Sequence, residues 1–441
     1  MKLELHVIQN FTASNLNRDD TGSPKDVMFG GFRRSRVSSQ CSKRSARVYV
    51  QNKLSKDQLT AGEIGAKPLG VRTGRLLKHI VERHEADFAS SWPADHSMHD
   101  LFMKDAHARA GIILRAAGAT VDEAGLTKAL IYVSDLEVGA LAALLQQHWD
   151  QLDPKSALVP SAKKVADDGG DVIESADDNG SEAGVSEEAG SAEGPAPKKG
   201  AKPATKPRSV EMELSKAVST LLRTPLKTVF SKPSMDIALF GRFMADRSDF
   251  IVDAACQVAH PLGVSKLERE FDYFTAVDDL KEESGAQHLG TVEFNAPTLY
   301  RYAVLDTVKL LANLGGDEQL ARRAISLFFE ALAVATPSGK QNTFAAHNMP
   351  SFVGVVARGR GPMNLANAFE SPIRPRADAS LTEQAIEALN KEDEWASKTY
   401  GAPGADKWRF VDRSGKWSRG EKMDSAFELA TWAADAAYPT K

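Results

Sequence analysis

Cysteine is almost missing: Cys41 and Cys256 are the only two in the chain. Two distant thiols exclude a disulfide framework and a cysteine-based zinc site. No apolar run reaches the roughly 18 residues that a membrane-crossing helix needs. The start, Met1-Lys2-Leu3-Glu4-Leu5-His6-Val7, alternates in polarity and carries an early acid, so it reads as a strand and not as a signal peptide. Catalytic signatures are missing as well. There is no HExxH, P-loop or GxSxG, and the ten histidines are dispersed. These absences predict a cytoplasmic protein that is not an enzyme and has no resident metal or cofactor.

Charge of one sign is scarce where it matters. The net charge of −4 hides a segment, 166–194, with ten acids and no Lys or Arg, so the remainder carries +6. Residues 1–50 hold nine Lys or Arg against four acids, and most of that excess follows Gly31. Bulk charge therefore says little about a polyanionic partner, whereas local charge points to one.

Periodicity gives the organisation. Residues 2–9 read as a strand with Leu3, Leu5 and Val7 on one face and Lys2, Glu4 and His6 on the other. Asn10 to Gly31 reads as a long loop, and a helix is predicted from Ser38 or Ser39 through Tyr49. Further helices are expected over Thr73–Glu85, about 122–152, in part over Asp236–Gln257, and over Glu318–Thr336; Glu211–Leu222 is amphipathic. Phe271–Val277 is a short aromatic run. Leu299–Leu305 reads as a strand with Tyr300, Tyr302 and Val304 on one face, and Phe352–Val356 as another. Ser380-Leu381-Thr382-Glu383 is a capping-box pattern ahead of a helix to about Ala396. From about Asp153 to Arg208 aromatics vanish and Ala, Gly, Ser, Pro and charge dominate, the composition of a disordered tether. The order of elements predicts an α+β fold on a small split sheet.

The chemistry concentrates in Phe29-Gly30-Gly31-Phe32-Arg33-Arg34-Ser35-Arg36-Val37-Ser38-Ser39-Gln40-Cys41-Ser42-Lys43-Arg44. Two glycines allow a close turn, and three arginines follow within four positions. Alternation would place Arg34 and Arg36 on one side of an extended run. The serines then open a helix whose free N–H groups favour an anion, with Lys43 and Arg47 on one face. This is a donor set for a phosphodiester backbone. On residue type alone it serves equally as a solvated charged surface.

Several segments together resemble the CasC family, the backbone subunits of type I-E CRISPR Cascade. They are Leu16-Asn17-Arg18-Asp19-Asp20, Lys25-Asp26, the run from Phe29 to Arg44, Asp236 to Arg242, Phe274 to Leu280, His288 to Thr291, Tyr300 to Ala303, Lys340 to Ala346 and Asn364 to Glu370. The resemblance implies a right-hand architecture: an RRM-like (ferredoxin-like) palm, a helical fingers insertion and a thumb loop. It divides the chain into palm (1–60), fingers (61–152), linker (153–209), fingers again (210–266), thumb (267–297), palm again (298–375) and a C-terminal helical region (376–441).

It also implies a function. Copies of the chain would polymerise along crRNA, with other Cascade subunits, and present it to a target DNA strand, with no membrane involved. Arg18, Lys25, Arg34, Arg36, Ser38, Gln40, Lys43, Arg44 and Arg47 would line the RNA groove, and Lys340 and Gln341 could add a phosphate contact. Phe243 and Phe274 would wedge against bases. The alternative is a guide-directed, metal-dependent ribonuclease that uses Asp26, as in related type III subunits.

Overall fold

The computed structural model describes residues 1–56, 69–160, 212–244, 247–277, 286–359, 361–401 and 406–439. Its centre is a seven-stranded sheet built around the first strand, β1 (Lys2–Asn10). A short hairpin follows, β2 (Asp26–Phe29) with β3 (Phe32–Ser35), and then α1 (Ser39–Lys56). Next come β4 (Val71–Thr73), α2 (Leu76–Asp87), α3 (His96–Ala116), β5 (Ile131–Val133) and α4 (Asp135–Gln147). β6 (Leu158–Pro160) pairs with β7 (Met212–Leu214), which leads into α5 (Lys216–Val229) and α6 (Met235–Phe240).

β8 (Cys256–Val258) and β9 (Leu262–Gly263) precede a long hairpin of β10 (Glu270–Val277) and β11 (Ala286–Phe294). β12 (Thr298–Asp306), α7 (Thr307–Asn313), α8 (Glu318–Val334), β13 (Phe352–Arg358), α9 (Leu381–Tyr400), β14 (Lys407–Asp412), β15 (Glu421–Lys422) and α10 (Ala426–Ala437) complete the chain.

The sheet runs β15-β14-β13-β1-β12-β8, with β9 also on β12. β1 is antiparallel to β12 (Leu5 opposite Ala303) and to β13 (Leu5 opposite Val355). A first strand set between two late ones closes the fold over a long sequence separation. Leu3, Leu5 and Val7 pack under α1, α8 and α10 in one core. The other face carries a second core, with Ile8, Tyr300, Phe352 and Trp408 against Ile386 and Leu389 of α9. A third core belongs to α2 to α5 and the β4–β5 pair, through Leu76, Ile80, Ile113, Leu141 and Leu222. The expected α+β class is therefore seen, with the central sheet antiparallel except for its parallel β14–β15 edge pair.

α9 covers the sheet face that holds Glu4 and His6, and both are fully buried. Tyr300 Oη and His6 Nδ1 lie 2.9 Å apart, His6 Nε2 and Glu4 Oε2 lie 3.3 Å apart, and the Arg358 guanidinium pairs with Glu4, Asp393 and Asp406. The Glu4 carboxylate can only accept, so the neutral imidazole carries its proton on Nε2 and Nδ1 accepts from the Tyr300 hydroxyl, which itself accepts the Leu365 N–H. Burial depresses the His6 pKa below its ordinary value despite the neighbouring carboxylate.

The loop expected from Asn10 to Gly31 contains β2, because Gly30 (φ +58°) and Gly31 (φ +80°) form the two-residue turn that joins it to β3. The helix expected from 122 begins only at Asp135, where Ser134 and Glu137 make a reciprocal capping box. The tether expected from 153 is ordered to Pro160, and its remainder to 209 lies outside the described residues. The C-terminal region expected to be helical also supplies two sheet strands, β14 and β15.

Candidate nucleic-acid interface

Ser38 sits immediately before α1, and its Oγ accepts the Cys41 N–H at 3.2 Å, while its own N–H is held by Asn17 Oδ1 at 2.8 Å. The helix therefore starts at a fixed point against the 10–25 loop. Arg36 lies just upstream, bridged backbone to backbone with Leu262. Its Nε donates to the Asp26 carbonyl at 3.1 Å, and its Nη1 lies 2.7 Å from His260 Nδ1. Burial first, then the charges of Arg36 and Lys25, depress the His260 pKa. Burial raises the Cys41 thiol pKa while Arg44 and Lys25 pull it down. Lys25, Arg36, Arg44 and His260 thus share one field around the start of α1.

Among the described residues, Arg18, Lys25, Arg36, Lys43 and Arg44 have no carboxylate within ion-pair distance. Cations left without an internal counter-ion are available to an external one. Ser38, Gln40, Lys43 and Arg44 all lie on or beside the first two turns of α1.

Two of the basic residues expected here belong elsewhere. Arg34 is fully buried and cannot line a groove. Its Nη1 donates to the Gly263 carbonyl (3.1 Å), and its Nη2 donates to Phe369 O (2.8 Å) and Glu370 O (3.0 Å). It stitches β3 to β9 and to the 365–370 segment. β3 ends at Ser35, so the alternation that would pair Arg34 with Arg36 stops between them. Arg47 faces inward too: it pairs with Asp236 at 3.4 Å, donates to Gly70 O and lies 4.6 Å over the Tyr132 ring.

Lys340 and Gln341 form a tight turn, with Lys340 left-handed at φ +50°. The Gln341 amide donates to Pro337 O and Ala346 O, so it serves the turn itself. Phe243 projects into solvent, 76% exposed, from an extended stretch between buried Arg242 and Met244. Its neighbour Arg242 is locked in a buried ion pair with Glu137. Phe274 stands on β10 directly opposite Gly290, with its ring over the space a side chain there would fill. The same hairpin exposes Phe271, Tyr273 and Leu289, which share the other face through the Thr275–Leu289 pairing. Sequence reading missed this stripe, although its period-two spacing was visible.

Asp26 is not an open acid. Oδ1 accepts from Arg33 Nη1 at 2.9 Å and Oδ2 from Arg269 Nη2. Among the described residues no three His, Cys, Asp or Glu side chains converge as metal ligands would. None of the described helices is long and apolar enough to cross a membrane.

The fold and site define a mixed α+β protein with an open cationic face beside a projecting aromatic hairpin. The chain belongs to the CT1975-like protein family, whose profile matches residues 3–432. It is similar to a solved chain from a "CRISPR RNA-guided surveillance complex, pre-nicking", at 27% identity and a TM-score of 0.71. That match covers 99% of this chain and 100% of the other. A second solved chain, from a "CRISPR RNA-guided surveillance complex", is 23% identical with a TM-score of 0.62 over 99% of this chain and 100% of that one, and shares the fold. No curated protein matches the chain.

Proposed function

We propose that the chain is a guide-RNA-binding backbone subunit of a type I-E CRISPR Cascade complex, acting in the cytoplasm without catalysis of its own. The observation that carries this reading is the end-to-end match to a chain of an RNA-guided surveillance complex. The cations around the start of α1 give that match its chemistry, since among the described residues no carboxylate lies within ion-pair distance of them. In this reading the seven-stranded sheet is an RRM-like palm and the α2–α5 module is the fingers. The β10–β11 hairpin is the thumb.

Arg36, Lys25, Lys43 and Arg44 grip phosphates, with Arg18, Ser38, Gln40 and Lys340 at the margins. Phe243 and Phe274 splay bases. Copies of the chain line up on one crRNA, alongside other Cascade subunits, and base pairing selects the target DNA strand. The ribonuclease alternative needs Asp26 as a metal ligand, and two guanidinium groups already occupy both its carboxylate oxygens.

Single-stranded RNA binding measured across a salt series tests the groove. Each phosphate contact contributes a slope of about −0.7 in log K against log salt. The Arg36→Ala/Lys43→Ala double variant should bind more weakly and lose between one and two such units. Affinity insensitive to salt, or a double variant that binds like the parent, refutes the assignment.

A further inference from the structure

The β10–β11 hairpin has little to hold it. Residues 271–276 are exposed on both faces, so its direction is set at its root. Arg269 stands one residue before β10, and Glu293 lies near the end of β11, opposite Phe271. Arg269 Nη1 is 3.0 Å from Glu293 Oε1, and its Nη2 reaches across to Asp26 at the start of β2. Asp26 in turn holds Arg33 of β3. Two carboxylates and two guanidiniums thus form one neutral quartet. Asp26 is the member that joins two separate hairpins, and its side chain is only 15% exposed, so the link is partly shielded. Burial would lower the Arg269 pKa, but the Asp26 hydrogen bond and the two carboxylate charges raise it, keeping the cation in place. Backbone contacts follow the same line: Leu267 N–H donates to Arg33 O.

We propose that Asp26 is a positioning residue, the shared counter-ion that fixes the β10–β11 hairpin to the β2–β3 hairpin beside the basic groove. The segment that carries Phe274 is thereby aimed before any RNA arrives. The RNA consequence rests on the function proposed above; the latch itself does not.

Hydrogen exchange on the full chain without RNA tests it. In Asp26→Asn, amides of β10 and β11 should exchange about three- to tenfold faster, the size expected for losing one or two partly exposed ion pairs. Amides of β1 and β12 should stay unchanged, and Asp26→Glu should restore most of the protection. Raising salt from roughly 0.05 to 0.5 M should speed hairpin exchange more in the parent than in Asp26→Asn, because only the Arg269–Glu293 pair is left to screen in the variant. Unchanged hairpin protection in Asp26→Asn, or equal salt responses in the two proteins, overturns the proposal. If Asp26→Asn loosens the hairpin while the parent fails to bind guide RNA, the latch stands and the RNA reading falls. If RNA affinity drops with hairpin protection intact, the latch falls and the RNA reading stands.

Discussion

Arg34 and Arg36 are two residues apart in one basic run, yet the structure gives them opposite jobs, and substitution should separate them. Arg34→Ala removes a fully buried guanidinium with three hydrogen bonds to carbonyls of Gly263, Phe369 and Glu370. At about 1.5–3 kcal/mol for each bond to a charged group, the gross loss is roughly 5–9 kcal/mol. The variant no longer bears the desolvation cost of the cation, which returns part of that, leaving a net destabilisation of about 3–5 kcal/mol. Arg36→Ala removes a part-exposed side chain held by one carbonyl and one imidazole, and should cost under about 1 kcal/mol. Urea unfolding followed by tryptophan fluorescence gives the stabilities, and RNA binding is measured where each variant remains folded. Arg34→Ala should unfold at markedly lower urea while the folded fraction keeps its salt slope. Arg36→Ala should unfold normally and lose about 0.7 from that slope. An Arg34→Ala protein as stable as the parent but weaker in RNA binding refutes the reasoning.

Gly30→Ala should disrupt the hairpin, since Gly30 has φ +58° and a Cβ there would lie 1.8 Å from Glu370 O; a loss of about 2 kcal/mol or more is expected in the same unfolding assay. Phe243→Ala should leave stability within about 0.5 kcal/mol, because the ring is 76% exposed, while weakening RNA binding by about 1–3 kcal/mol for one lost base contact. Acid should destabilise the fold in two stages. Burial keeps His6 and His84 below the ordinary 6.5, so the unfolded chain takes up protons first as pH falls through that value, and stability drops by up to about 1.4 kcal/mol per unit for each of the two. Burial alone would raise the Glu4 carboxyl, but the His6 hydrogen bond and the Arg358 charge outweigh it and hold it below 4.5, so a further loss follows under that pH. Unfolding free energies that stay flat between pH 7 and 5 contradict this.

What the sequence made legible follows from how local each signal is. β1, β12 and α8 carry strong periods, and the Ser380–Glu383 box is intact at the start of α9. The missing parts depend on distant partners. Alternation shows that Glu4 and His6 share a face, but only the packing of α9 shows that the face is covered. Arg34 is charged like its neighbours, and nothing nearby announces the carbonyls at 263, 369 and 370 that bury it. β14 left a usable trace, since Trp408 and Phe410 alternate inward and Trp417 closes over them. The Ser134–Glu137 box likewise marks where α4 begins. At the candidate interface, Lys25, Lys43 and Arg44 were readable as cations; His260 and Arg269 entered only through tertiary contacts.

In the function proposed above, copies of this chain assemble along a guide RNA. Native mass measurement of the purified protein with repeat-spacer RNAs of graded length tests it most directly. The mass of the complexes should rise in whole steps of one 47.7 kDa chain as the RNA lengthens, with RNA-free protein remaining smaller. A complex of constant mass at every RNA length, or no RNA-dependent growth at all, contradicts it.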